Sequence, residues 1–87
     1  QFTTIREVSL QDQIPRVVRK RNGFNAGNTL RGYFTLDVLG DGKIFINRDV
    51  PPYVVVKTSD SFVIVNFKNP QQTRALAEEL RRHLAAR

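Results

Sequence analysis

Cysteine is missing from this 87-residue sequence, and histidine occurs once, as His83. Without cysteine the chain forms no disulfide and no thiolate metal site, so the redox state of its compartment stays open. The single histidine has no nucleophile that the sequence places beside it, and most aspartates fall at predicted turns, where they suit the backbone. We therefore expect a protein that is not an enzyme and that uses no cofactor or metal.

Long apolar segments are also missing. No run approaches the roughly 20 apolar residues that a membrane-spanning helix needs, and no secretory signal peptide is visible. Acids are scarce as well, since 14 lysines and arginines stand against 8 aspartates and glutamates, which gives a net charge of +6. Such an excess attracts phosphates, anionic lipids and acidic proteins alike, or it simply keeps a small domain soluble.

The residues that are present predict one domain, residues 1–87, made mostly of strands. Apolar alternation and continuous apolar runs indicate six or seven of them. The six to which bounds are assigned are Phe2–Val8, Ile14–Arg21, Thr29–Leu39, Lys43–Asn47, Tyr53–Thr58 and Phe62–Phe67. Ser9–Gln13 is predicted as a polar loop, and glycine-containing turns are predicted at Asn22-Gly23, Gly27-Asn28 and Gly40-Asp41-Gly42.

The end of the chain has a different period. Asn69 followed by Pro70 is typical of a helix start, and the helix is expected to run to about Ala85. Its apolar stripe consists of Thr73, Leu76, Ala77, Leu80 and Leu84. Glu78 and Arg82 are expected to pair at i,i+4 spacing. Strands followed by one helix predict a mainly β fold of the α+β class.

The order of these elements resembles that of the bacterial pleckstrin-homology-like (PH-like) domains. The resemblance covers roughly Ile14–Leu84 and is carried by "LRGYFTL" (Leu30–Leu36), "PYVVVKTSDSFVIVNFKNP" (Pro52–Pro70) and the closing helix. It implies a strongly bent antiparallel barrel of about seven strands, capped by the C-terminal helix. It also implies a non-catalytic module of the kind found beside transmembrane helices.

Membrane association follows from this resemblance as an expectation. The chain begins with Gln1 rather than methionine, and we interpret it as the soluble domain of a larger, membrane-anchored bacterial protein, or otherwise as a cytoplasmic one. Eukaryotic relatives place phosphoinositide-binding cations in the loop between their first two strands. The corresponding loop Ser9–Gln13 has no cation and one acid, which argues against a phosphoinositide site.

The candidate binding site is a basic stretch in the first half of the chain. Its cations are Arg16, Arg19, Lys20, Arg21 and Arg31, and no acid lies among them. A period of two places Arg19 and Arg21 on one face, with Arg31 across a hairpin, and Arg16 and Lys20 on the other. We predict an anion site here; the alternative is a solvated strand whose charges prevent edge-to-edge pairing.

Three kinds of partner fit this stretch. The first is an anionic membrane surface. The second is a peptide or another copy of the chain, added as a strand to Ile14–Arg21. The third is nucleic acid, for which exposed aromatics should alternate with cations on a sheet face. Tyr33 shares the predicted face of Arg31, but Phe34, Phe62 and Phe67 are assigned to the core, so nucleic acid is the less favoured partner; no small-molecule substrate is expected.

Overall fold

The computed structural model describes residues 5–85, and the side chains of residues 24–26 are outside this description. The predicted start of the first strand at Phe2 therefore lies outside the described residues. Six strands and one helix follow one another along the described chain. They are β1 (Ile5–Gln11), β2 (Val17–Ala26), β3 (Thr29–Leu36), β4 (Gly40–Asn47), β5 (Tyr53–Thr58), β6 (Phe62–Val65) and α1 (Pro70–Ala85).

The mainly β, α+β fold with a C-terminal helix is confirmed. All six strands form one sheet in the order β1-β5-β6-β4-β3-β2. The six strands of the described residues agree with the six or seven that the sequence patterns predict. Two details differ from the antiparallel barrel that the resemblance implies: the sheet is open, with β1 and β2 at its edges, and β4 pairs with β6 in parallel. The parallel pair arises because β6 is joined to β5 by a tight turn and then lies between β5 and β4.

One face of the sheet carries the interior cluster. Its buried members are Leu30, Phe34, Leu36, Ile44, Ile46, Tyr53, Val55, Phe62 and Ile64. In the described chain α1 is the only helix, and it packs on the opposite face. The interior cluster is therefore covered by the sheet itself, which bends around it with help from Ile14, Val17 and Leu39.

The helix forms as the local sequence predicts. Asn69 accepts a hydrogen bond at Oδ1 from the backbone N–H of Gln71, 2.8 Å away, and Pro70 is the first helical residue. The predicted stripe packs against Val8, Val54 and Val56 on the sheet. The predicted partner of Arg82 is wrong, because Glu79 rather than Glu78 contacts it at 3.3 Å.

Two of the three predicted glycine-containing turns are wrong, because each contains a glycine that serves close packing inside a strand. Asn22-Gly23 lies inside β2, where Gly23 pairs with Gly32 of β3; a Cβ on Gly32 would come within 2.5 Å of the Cα of Gly23. Gly42 lies inside β4, and its missing Cβ leaves room for the ring of Phe62. The true β3–β4 turn is Asp37–Leu39, and β1 extends into the predicted loop as far as Gln11.

Other boundaries fall close to their predictions. The turn at Gly27-Asn28 is confirmed, and so are the bounds of β5. β3 ends three residues early, which leaves Val38 93% exposed in a left-handed backbone conformation. β6 ends at Val65, so Phe67 lies outside the sheet and is 42% exposed instead of buried. In the described part of the chain no helix is long and apolar enough to cross a membrane.

Candidate functional site

The sheet has an outer face, which lies opposite the interior cluster. The register of the strands shows that the side chains on this face change in chemical character from one side of the sheet to the other. Laterally paired residues of neighbouring strands point to the same face. One row across the sheet is Val8, Val56, Val63, Lys43, Tyr33 and Asn22, and the next is Leu10, Val54, Val65, Phe45 and Arg31. Both rows are aliphatic over β1, β5 and β6, and both become cationic and aromatic at β4 and β3.

The helix covers only the aliphatic half of this face. Its apolar stripe contacts the valines of β1 and β5, and Arg81 donates a hydrogen bond from Nε to the backbone oxygen of Val8, 3.3 Å away. The remaining half, which we call the open face, is formed by β2, β3 and β4. Its side chains are Arg19, Arg21, Arg31, Tyr33, Thr35, Asp41, Lys43 and Phe45.

Three of the five predicted cations lie on the open face. Arg31 belongs to the second lateral row, and Arg19 pairs with Thr35, whose side chain lies on the same face. Arg21 reaches this face too, because its Nε lies 3.9 Å from Oδ2 of Asp41. Both of those side chains are about half exposed, so their ion pair leaves Arg21 available to a partner at small cost.

The other two predicted cations lie elsewhere. Irregularities between Val17 and Arg19 and between Lys20 and Asn22 break the simple alternation of β2. Lys20 pairs with Phe34, so it lies on the interior face at the exposed edge of the sheet. Arg16 lines a separate opening of about 360 Å³ at one end of the interior cluster, together with Arg48 and Asp49. The predicted group of five therefore divides among three places.

Other residues, absent from the predicted site, join the cations of the open face. They are Lys43 and Phe45 of β4, and Phe67 and Lys68 of the segment between β6 and α1. The alternation of Lys43 and Phe45 with inward Ile44 and Ile46 was the available signal for β4. Phe67 gave no such signal, because an aromatic at the end of an apolar run is typical of a buried residue.

A groove lies between the open face and α1. It measures about 460 Å³, and its walls include Arg31, Phe45, Val65, Phe67, Lys68 and Leu76. The rings of Phe45 and Phe67 are 40% and 42% exposed. Two cations and two accessible aromatic rings thus converge on one depression, with the aliphatic side chain of Leu76 behind them.

A second depression of about 230 Å³ lies further along β4. Tyr33, Lys43, Thr58, Ser61 and Val63 are among its lining residues. Nζ of Lys43 lies 5.5 Å from the centre of the Tyr33 ring, which is a cation–π contact at an exposed site. This contact places a cation over an aromatic ring on the open face.

The groove's rim at Phe67 and Lys68 is fixed by two buried polar side chains. The buried amide of Asn66 accepts hydrogen bonds from Asn47 and donates to the backbone oxygens of Asn47 and Val50, both 2.9 Å away. Thr73, which is fully buried, accepts a hydrogen bond at Oγ1 from the backbone N–H of Phe67 at 2.9 Å. The rim is therefore held in place before any partner binds.

The described residues contain no group of three or more histidine, cysteine or acidic side chains arranged to hold a metal ion. Comparison of the chain with protein-family models, with curated proteins and with solved structures found no match. The resemblance to the PH-like domains accordingly stays a prediction, and the functional argument depends on the chemistry of the open face.

Proposed function

We propose that this chain is a non-catalytic binding module that recognises an anionic partner through its open face. The observation that carries the proposal is the change in the two lateral rows. The same face of one sheet is aliphatic under the helix, and cationic and aromatic beside it. A sheet face that only needs to be solvated has no reason to expose Tyr33 and Phe45, with Phe67 exposed at its border.

Charge complementarity gives the sign of the partner. Arg19, Arg31 and Lys43 lie on the open face, and Lys68 lies at its border. Cations grouped in this way attract a polyanion and lose affinity as salt is added. An anionic membrane surface, which the predicted membrane association implies, is one partner of this kind, at about 1 kcal/mol for each cation near the lipid. Nucleic acid is the other.

Strand addition at the edge of β2 is the less favoured mode. β2 is an edge of the sheet, but it has two irregularities and carries Arg19, Lys20 and Arg21. Irregular pairing and edge charges are the features by which sheet proteins resist edge-to-edge association. The part of the open face that β3 and β4 form is, in contrast, regularly paired.

Heparin, a sulfated polysaccharide, tests the proposal as a generic polyanion. We expect the double variant Arg31→Glu, Lys43→Glu to elute from a heparin column at a lower salt concentration than the wild type. A matched control carries the same change in charge away from the open face, at the exposed residues Arg48 and Arg74. Equal elution of the two double variants would show that only net charge matters and would contradict a defined binding face.

A further inference from the structure

The two depressions of the open face are spaced regularly. Each is built on one lateral row, the first on Phe45 with Arg31 and the second on Lys43 with Tyr33. Phe45 and Lys43 are two residues apart on β4, which is about 7 Å along a strand. That is about twice the 3.4 Å between stacked bases of one nucleic-acid strand, so two successive bases fit the depressions only if they are unstacked.

Each depression combines an aromatic ring with a cation. Phe45 and Phe67 offer ring surface beside Arg31 and Lys68 in the groove. In the second depression the ring of Tyr33 is 45% exposed and lies under Lys43. Aromatic rings that stack on bases, together with cations that follow the phosphates, are the means by which proteins bind single strands without reading their sequence.

The half of the molecule that carries the open face has a shape that suits a nucleic-acid strand better than a flat membrane surface. α1 lies on the neighbouring half of the same face, and Leu76 forms a wall of the groove. A helix with its side chains is about 10 Å across, so it stands above the open face as a step. A flat bilayer is held away from the groove by that step, whereas an extended chain can lie along it.

Preorganisation strengthens this interpretation. Asn66 is anchored through its side chain to Asn47 and Val50, and the backbone N–H of the next residue, Phe67, donates to Thr73, as described above. A side chain whose backbone is already fixed loses less conformational entropy on binding. The exposed ring of Phe67 is therefore held as a binding surface before a ligand arrives.

We propose that the open face binds single-stranded nucleic acid, with two successive bases unstacked over the two depressions and their phosphates near Arg31, Lys43 and Lys68. The inference rests on the proposed function, because it names the anionic partner of the same face. It gives the aromatic rings a purpose that a purely electrostatic interaction with lipid or protein does not.

Fluorescence anisotropy with labelled oligothymidylate of 12 nucleotides tests the proposal. The double variant Phe45→Leu, Phe67→Leu keeps apolar side chains of similar reach and leaves every charge in place. Since the variant loses the rings on which bases would stack, we expect its affinity for the oligonucleotide to fall by about tenfold or more. Its elution from heparin, which has no bases, should be unchanged.

The controls separate this proposal from the general one. Circular dichroism and thermal unfolding establish that the variant is folded. One outcome is that Phe45→Leu, Phe67→Leu binds the oligonucleotide as the wild type does, while Arg31→Glu, Lys43→Glu still weakens heparin binding. The proposed anion-binding function would then be supported, and the proposed nucleic-acid ligand would be wrong. Retention by phosphatidylglycerol vesicles without oligonucleotide binding would also overturn it, in favour of lipid. A preference for duplex DNA over the single strand would contradict the stacking of unpaired bases.

Discussion

At the scale of single residues, Asn66 determines how the groove is built. Its amide replaces the ladder hydrogen bonds that another strand residue would make, so β6 ends and the chain turns toward α1. Asparagine suits this position because it combines an acceptor oxygen with two N–H donors. The exposure of Phe67 is a direct consequence of this ending.

Replacing Asn66 with alanine should lower the free energy of unfolding by about 2–3 kcal/mol. The variant leaves partly buried backbone groups of Asn47 and Val50 without these partners, and a buried group left unpaired costs about 1–3 kcal/mol. Urea denaturation measures the change. Asn22→Ala, at an exposed position of β2, is the matched control and should change stability by less than about 0.5 kcal/mol. Equal stability of the two variants would refute this role for Asn66.

Sequence patterns find residues of this kind poorly. The partners of Asn66 lie 16 and 19 positions earlier in the chain, and no local period connects them. Thr73 was assigned correctly to the apolar stripe of the helix, but its hydrogen bond to Phe67 depends on the path of the connecting segment. Both roles follow from tertiary position and not from the residue type alone.

At the scale of elements, the helix was predicted closely, whereas two of the three glycine-containing turns were not. The limits of α1 come from local chemistry, namely a capping asparagine, a proline and an apolar period. The turn signals at Gly23 and Gly42 failed because those glycines permit close contact, with Gly32 and with the ring of Phe62. A glycine in sequence does not distinguish a turn from a close approach.

The packing of α1 on the sheet gives a prediction at this scale. Ala77 is 1% exposed between the helix and the valines of the sheet. Ala77→Leu should lower the unfolding free energy by about 1–3 kcal/mol, because the larger side chain has no space there. Ala75→Leu adds the same side chain on the exposed side of α1 and should be nearly neutral. Thermal unfolding of both variants checks this; similar midpoints would mean that α1 does not pack as described.

At the scale of the whole molecule, the open face depends on where the helix lies. The apolar stripe predicts that α1 packs on the sheet, but it does not say which half of which face it covers. Directly paired residues of the lateral rows lie up to 48 positions apart in the sequence, as Val8 and Val56 do. The apolar alternation within β4 alone predicts that Lys43 and Phe45 point outward. It does not show that Arg31 and Tyr33 of β3 lie beside them.

Strand pairing also explains why the five predicted cations do not share one surface. Arg19, Arg21 and Arg31 share a surface because β2 and β3 pair, whereas the irregularities of β2 separate Lys20 from them. Arg16 precedes β2 and lines the opening of the interior cluster. The concentration of charge alone indicated the right region of the sequence. The register of the sheet determines which of its cations lie on the open face.

The most direct test of this account is a titration of the isotopically labelled protein with oligothymidylate of 12 nucleotides, followed through its backbone amide NMR signals. We expect the largest changes at Arg31, Lys43, Phe45 and Lys68, with little change at the exposed Arg74 of α1. Changes concentrated around Arg16 and Arg48, with the open face unaffected, would contradict the central claim that the half of the sheet left bare by the helix is the binding surface.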